Sequence, residues 1–156
     1  MSRELFTAVI QGLCDIYKLD PAHVEAGGAV EMDGVKFCLF HDKESDSPYL
    51  MAYCDFGPVP KSLEAQVYKK LLESNLSTYS GQGETFCVAP DGHVVFVNNY
   101  PLELLTPTML AGYLAMTSFT AKKWREGYFL DDGESEATKK KSQSEYFTQK
   151  IMQPTK

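Results

Sequence analysis

The dipeptide Asp33-Gly34 constrains the fold more than any other short feature of the sequence. It separates residues 29–32 from residues 35–40, two runs in which apolar and polar side chains alternate. A two-residue type I′ turn requires positive φ at both central positions, and Asp-Gly is among the pairs that adopt it most readily. The sequence therefore predicts an antiparallel hairpin whose register is set by the turn. The expected partners are Met32 with Val35, Val30 with Phe37, and Glu31 with Lys36.

This register separates the two faces of the hairpin and of a third strand at residues 49–56. Glu31 and Lys36 form an opposed charge pair, which favours a solvated face, so the alternate residues should point into the core. The residues expected to point inward are Val30, Met32, Val35, Phe37, Leu39, Leu50, Ala52, Cys54 and Phe56. The outward side chains include an apolar patch made of Cys38, Phe40, Tyr49, Met51 and Tyr53.

That outward patch has two interpretations. Contiguous exposed apolar surface usually marks a binding site, and a nearby edge strand could also pair with a strand of a partner. Alternatively, the first helix or the C-terminal tail covers the patch.

Three further segments have the periodicity or the boundary signals of helices. Residues 2–19 repeat apolar side chains every three to four positions, and Asp20-Pro21 ends that segment because the residue before proline disfavours helical geometry. Ser62 can cap a second helix that runs to about residue 76, and Thr106-Pro107 suits the start of a third. The expected stripe of the first helix is Leu5, Val9, Leu13 and Ile16, flanked by Phe6, Ile10 and Tyr17.

A second hairpin carries more apolar surface than a core on one side requires. Residues 85–90 and 93–100 flank Asp91-Gly92, which is again a candidate type I′ turn, and both faces are apolar. One face is expected to hold Phe86, Val88, Val95 and Val97, and the other Cys87, Ala89, Val94 and Phe96.

The second helix is similarly apolar around most of its circumference. A one-sided surface helix presents a stripe of roughly 100°, whereas this helix exceeds it with Leu63, Val67, Tyr68, Leu71, Leu72 and Leu76. A subunit interface would cover both the helix and the hairpin. The alternative is that the chain itself encloses them.

Length, charge and element order define the class of fold. The 156 residues and 17.5 kDa fit one domain, which we expect over residues 1–130, and the polar composition of residues 131–156 predicts a disordered tail. The order helix-strand-strand-strand-helix-strand-strand-helix predicts an α+β domain with a mainly antiparallel, twisted sheet.

Composition also excludes several partners and compartments. A net charge of −6 and a pI near 5.0 argue against nucleic acid and against an anionic membrane surface. The first residues lack the apolar stretch of an export signal, and no run reaches the ~20 apolar residues of a membrane span. We therefore expect a cytoplasmic protein.

The sequence offers no convincing active site, metal site or cofactor motif. The three histidines, His23, His41 and His93, have no metal-binding spacing, and the expected register separates His93 from Cys87. Asp55-Phe56-Gly57 matches a kinase triplet without its companion motifs, and Gly81-Gln82-Gly83 has no following helix to bind phosphate. The four scattered cysteines (Cys14, Cys38, Cys54, Cys87) favour free thiols over disulfides or zinc.

The chain resembles the small type III secretion chaperones of the Tir-chaperone family over roughly residues 2–130. The most specific parts are residues 71–76 (LLESNL) and their spacing to Trp124-Arg125-Glu126. The resemblance extends to the element order, the turn 56–60, residues 81–86, the Asp91-Gly92 hairpin and Tyr100-Pro101-Leu102.

This resemblance implies a homodimer in the bacterial cytoplasm that takes part in virulence by binding the N-terminal segment of a secreted effector, without a cofactor or catalysis. It implies dimerisation through the second helix and the neighbouring strand, here Leu63, Val67, Leu71, Phe86 and Val88. Binding of the effector would fall on Phe40, Tyr49, Met51, Tyr53 and Cys38. A small-ligand-binding or regulatory domain and a small hydrolase or transferase are the alternatives.

Overall fold

The structure, a computed structural model, describes residues 1–78 and 84–130. The tail expected at residues 131–156 and the glycine pair Gly81 and Gly83 lie outside the described residues. In chain order the described elements are α1 (Ser2–Tyr17), α2 (Pro21–Glu25), β1 (Val30–Met32), β2 (Val35–Phe40), β3 (Tyr49–Pro58), α3 (Glu64–Thr78), β4 (Thr85–Val88), β5 (His93–Pro101) and α4 (Pro107–Gly127). Single 3₁₀ turns at Lys61–Leu63 and Leu102–Leu104 precede α3 and α4.

The five strands form one antiparallel sheet in the order β1-β2-β3-β5-β4, which confirms the α+β fold. The first hairpin has the expected register, with Val30 opposite Phe37, Glu31 opposite Lys36 and Met32 opposite Val35. Its turn has φ of 57° at Asp33 and 78° at Gly34, as a type I′ turn requires.

The second hairpin differs from the expected register by one residue. Gly92 N–H donates to the Ala89 carbonyl, Ala89 N–H donates to the His93 carbonyl, and Gly92 has positive φ, whereas Asp91 does not. This is a three-residue loop in which Pro90 takes the second position of a type I turn, the position that its fixed φ favours. The two-residue turn expected at Asp91-Gly92 is therefore wrong.

The shift reassigns the faces of that hairpin. Phe86 now opposes Phe96 and Val88 opposes Val94, while Cys87 opposes Val95 and Thr85 opposes Val97. Phe86, Val88, Val94 and Phe96 consequently share the face that packs towards the helices, which we call the inner face. The opposite, outer face carries Thr85, Cys87, Val95 and Val97.

The core lies between the inner face and α4, which crosses β1, β2 and β3. All nine residues expected to point inward from β1, β2 and β3 are buried. Trp124 packs on Phe56, and the Arg125 guanidinium donates to the carbonyls of Phe56, Gly34 and Asp55 at 2.7, 3.1 and 2.9 Å. These contacts hold the end of α4 against the first hairpin and β3.

Helix α1 packs against α4 and α2 and is rotated from the expected orientation. Leu5 and Ile16, two of the four residues of the expected stripe, are exposed, and so is Tyr17. The buried stripe is Phe6, Val9, Ile10, Leu13 and Cys14. Its spacing of three and four residues still defines a helix face, but contact with α4 decides which neighbouring stripe is covered. None of the helices in the described part of the chain is long and apolar enough to cross a membrane.

Candidate protein-binding surfaces

The outer face of the sheet aligns the apolar residues of β2, β3 and β5 in neighbouring rows. Phe40 opposes Met51, and Cys38 opposes Tyr53, which opposes Val97 in turn. The rings of Phe40 and Tyr53 meet edge to face, with centroids 5.3 Å apart. The sheet thus brings residues that are up to 59 positions apart, Cys38 and Val97, onto one continuous surface.

This surface is accessible in the structure. Phe40 and Tyr49 are 39% and 45% exposed, and Cys38, Met51 and Tyr53 are half-buried. Helix α1, one of the elements that could have covered the patch, packs against α4, α2 and the Leu102–Leu104 turn instead. Burial, with a smaller effect from Asp55, raises the pKa of the Cys38 thiol, so this side chain behaves as a neutral, mainly apolar group at neutral pH.

Val95 and Val97 on β5 are half-buried residues that enlarge this surface and that the sequence analysis did not assign to it. The pattern of β5 contained the signal, because Val95 and Val97 were expected on one face. Pairing of β5 with β3 decides that this is the face of Tyr53, and this long-range pairing cannot be deduced from a local turn.

One end of the outer face is polar. His93 Nδ1 lies 3.0 Å from Asp55 Oδ1, and both side chains are about one-third exposed. The arrangement is a surface pair with access to water, which contributes little to binding or stability.

Within residues 1–78 and 84–130, no group of three or more His, Cys, Asp or Glu side chains could hold a metal ion.

The residues assigned to a subunit interface lie on α3, the turn before it and β4. Val67 and Leu71 are buried in the core of the chain itself, Leu63 and Phe86 are half-buried, and Val88 is exposed. Two other apolar side chains of α3, Leu72 and Leu76, are exposed by 67% and 47%. Leu72 and Leu76 lie one and five residues after the buried Leu71. The helix therefore has apolar residues on both its buried and its exposed sides.

Asn75 joins α3 to the edge of the sheet. Its Nδ2 donates to the Phe86 carbonyl at 2.9 Å, and its Oδ1 accepts the Phe86 N–H at 2.7 Å. Strand β4 is an edge strand, whose outward N–H and C=O groups would otherwise be open to pairing. The Asn75 amide therefore occupies part of this edge and positions α3 beside it.

A groove of about 700 Å³ lies beside α4, and the sequence analysis did not identify it. It arises because α4 covers the inner face over β1, β2 and β3 and leaves the half formed by β5 and β4 open. We call it the α4 groove; its walls include Phe86, Phe96, Met109, Tyr113 and Met116.

Polar groups lie at one side of the α4 groove. Asn98 Nδ2 donates to Glu84 Oε1 at 3.3 Å and to the Tyr100 hydroxyl at 3.2 Å. The Tyr100 ring stacks on Tyr113 with centroids 5.1 Å apart, and burial raises the pKa of Tyr100 to about 12. Tyr100 is consequently neutral at physiological pH.

The fold is shared with chains of solved chaperone complexes. One is the Yersinia pestis type III secretion chaperone SycH in complex with a fragment of YscM2 (TM-score 0.57, 18% identity, 76% of this chain and 98% of that chain). Others come from the ExsC–ExsE complex (0.62, 15%, 83% and 96%) and the HopA1–SchA chaperone–effector complex (0.60, 15%, 79% and 94%). At these identities the likeness establishes the fold. No curated protein sequence matches the chain.

A family model establishes the relationship. The model of the Tir chaperone protein (CesT) family matches residues 13–125, most of the chain. The chain belongs to the Tir chaperone protein (CesT) family.

Proposed function

We propose that this chain is a type III secretion chaperone that binds the N-terminal segment of a secreted effector and keeps it soluble and competent for secretion. The observation that carries the proposal is the open outer face in a chain of this family. Phe40, Tyr49, Met51, Tyr53 and Cys38 form the binding surface, which Val95 and Val97 extend.

This surface suits an extended peptide better than a folded partner. Its apolar side chains lie in rows across β2, β3 and β5. A partner segment in an extended conformation can place its own side chains between these rows. A bound segment is shielded from aggregation, and its ordering costs conformational entropy that the buried apolar contacts must exceed. Similar folds occur in complexes of SycH with a YscM2 fragment and of SchA with HopA1, which supports a protein partner.

We propose that the chaperone acts as a homodimer through α3 and β4. Leu63 and Phe86 are half-buried and Val88 is exposed, and Leu72 and Leu76 of α3 add exposed apolar contact area. Val67 and Leu71 contribute to the interface indirectly: they are buried in the core and hold α3 in place, so that its opposite side faces the partner. A contiguous exposed apolar surface of this kind is typical of an association site.

We further propose that the protein has no catalytic activity and works in the bacterial cytoplasm. Its family consists of chaperones, and its binding surface is made of apolar and aromatic side chains and the Cys38 thiol, whose pKa burial raises. Binding without chemistry needs neither a nucleophile nor a cofactor.

The proposal is tested by co-purification of the tagged protein from bacteria that express a secretion system, followed by mass spectrometry. We expect a larger partner bound through its N-terminal region, at two chaperone chains to one partner. Recovery of no protein partner from such cells would contradict the proposal and favour a small ligand in the α4 groove.

A further inference from the structure

The residues that line the α4 groove have no part in the proposed function, except Phe86, which also lies at the proposed dimer surface. Met109, Tyr113 and Met116 of α4 are 40%, 37% and 69% exposed along it, facing the inner-face aromatics Phe86 and Phe96. Its volume of about 700 Å³ lies within the range of roughly 300–1,000 Å³ that is typical of ligand pockets. Among the described residues that line it, Glu84 alone is charged.

The C-terminal sequence contains a short apolar cluster in a polar context. Residues 131–145 contain no aliphatic or aromatic side chain larger than alanine, whereas residues 146–152 contain Tyr146, Phe147, Ile151 and Met152. Phe147 and Ile151 are four positions apart, a spacing that places both on one face of a helix. Residues 137–156 also carry five lysines and one glutamate, opposite in sign to the net charge of −6 of the whole chain.

We propose that residues 144–152 of the same chain dock in the α4 groove. Phe129 lines the groove, and the remaining chain therefore starts at its rim. A random-coil linker of 16 residues, the number from Asp131 to Tyr146, has an end-to-end distance on the order of 20 Å, which is enough to return to the groove. Phe147 and Ile151 provide apolar side chains for its walls, and Lys150 between them is complementary to Glu84.

A tethered occupant has an advantage over a separate molecule. A short flexible linker gives an effective concentration of about 1 mM, so a segment with a Kd of about 100 µM would occupy the groove for roughly nine-tenths of the time. The segment would then cover Met116 and Tyr113, and any other ligand of the groove would have to displace it. The inference rests on the groove and on the C-terminal sequence, and it does not require that the chain binds an effector.

The methionine methyl groups provide a direct test. In the full chain labelled with 13C at these methyls, Met109 and Met116 report on the α4 groove, Met51 on the outer face and the buried Met32 on the integrity of the core. The double substitution Phe147→Ser and Ile151→Ser is compared with the wild type and with the polar control Gln149→Ser.

We expect the double variant to shift the methyl signals of Met109 and Met116 and to increase their broadening by a soluble paramagnetic agent. The control should leave them unchanged, and Met51 and Met32 should not respond to either variant. Signals of Met109 and Met116 that are identical in the wild type and the double variant would overturn the proposal. Signals that instead depend on protein concentration, equally in all three proteins, would assign the groove to a second copy and would also overturn it.

Discussion

At the scale of single residues, burial decides the chemistry of the four cysteines. Cys54 points into the core and is 1% exposed, whereas Cys87 lies exposed on β4. Burial raises the pKa of Cys54 from its ordinary value of 9.0 to about 12, because the thiolate would have to form away from water. Cys54 is therefore a small apolar core residue and a poor nucleophile.

This burial predicts a loss of stability at alkaline pH. Between about pH 9 and pH 12 the unfolded chain releases the Cys54 proton and the folded chain retains it, so the free energy of unfolding falls as the pH rises. Cys54→Ala should make this decline shallower. Cys87→Ala, at an exposed thiol, serves as the control for loss of a cysteine. Urea unfolding at pH 8 to 11 measures both slopes; equal slopes for Cys54→Ala and the wild type would contradict the prediction.

Met51 tests the proposed effector-binding face. It lies between Phe40 and Asn99 in the sheet and is half-buried, so Met51→Asp places a charge in the middle of the apolar surface. We expect a loss of about 2 kcal/mol in effector binding, roughly 30-fold in Kd, with no change in oligomeric state. Met51→Leu, which keeps the apolar volume, should bind within about threefold of the wild type by calorimetry. An unchanged affinity of Met51→Asp would show that the effector binds elsewhere.

At the scale of elements, the two hairpins show what turn sequence can predict. Asp33-Gly34 produced the expected register because no neighbouring residue competes for the turn. Asp91-Gly92 did not produce the expected register, because the preceding Pro90 favours a longer loop with a type I turn. One residue of difference moved Phe86 and Val88 to the same face as Phe96, where the α4 groove forms.

The two hydrogen bonds between Asn75 and the Phe86 backbone predict that Asn75 stabilises the edge strand β4. Asn75→Ala removes both hydrogen bonds to the Phe86 backbone and leaves those groups to water or to another strand. We expect destabilisation by about 1–3 kcal/mol and faster hydrogen exchange in β4. Ser77→Ala, on the same helix and exposed, serves as the control and should have a small effect on stability by thermal unfolding. Wild-type exchange of the Phe86 amide in Asn75→Ala would exclude this role for Asn75.

At the scale of the whole molecule, the exposed side of α3 predicts the assembly. We expect a dimer of about 35 kDa, twice the mass of the 17.5 kDa chain. Leu72→Asp should weaken the dimer by at least tenfold while the protomer remains folded, because Leu72 is 67% exposed. Leu104→Asp, at an exposed apolar residue of the turn before α4, should leave the dimer intact. Sedimentation equilibrium measures both; a wild-type monomer at micromolar concentration would refute the dimer.

The sequence alone determined the properties that depend on neighbours along the chain. Alternation along β1, β2 and β3 identified the nine side chains that point into the core, because side-chain direction in a strand repeats every two residues. The Asp33-Gly34 turn determined one register. Family membership was also readable from local segments such as residues 71–76.

Only the tertiary structure decided the properties that depend on how elements pack. These include the rotation of α1, the burial of Val67 and Leu71 on the core-facing side of α3, and the uncovered half of the inner face that forms the α4 groove. The physical reason is that several helix faces and strand pairings are similarly apolar. The choice among them is made by contacts between residues that are distant in the chain, such as Trp124 with Phe56 and Arg125 with Gly34.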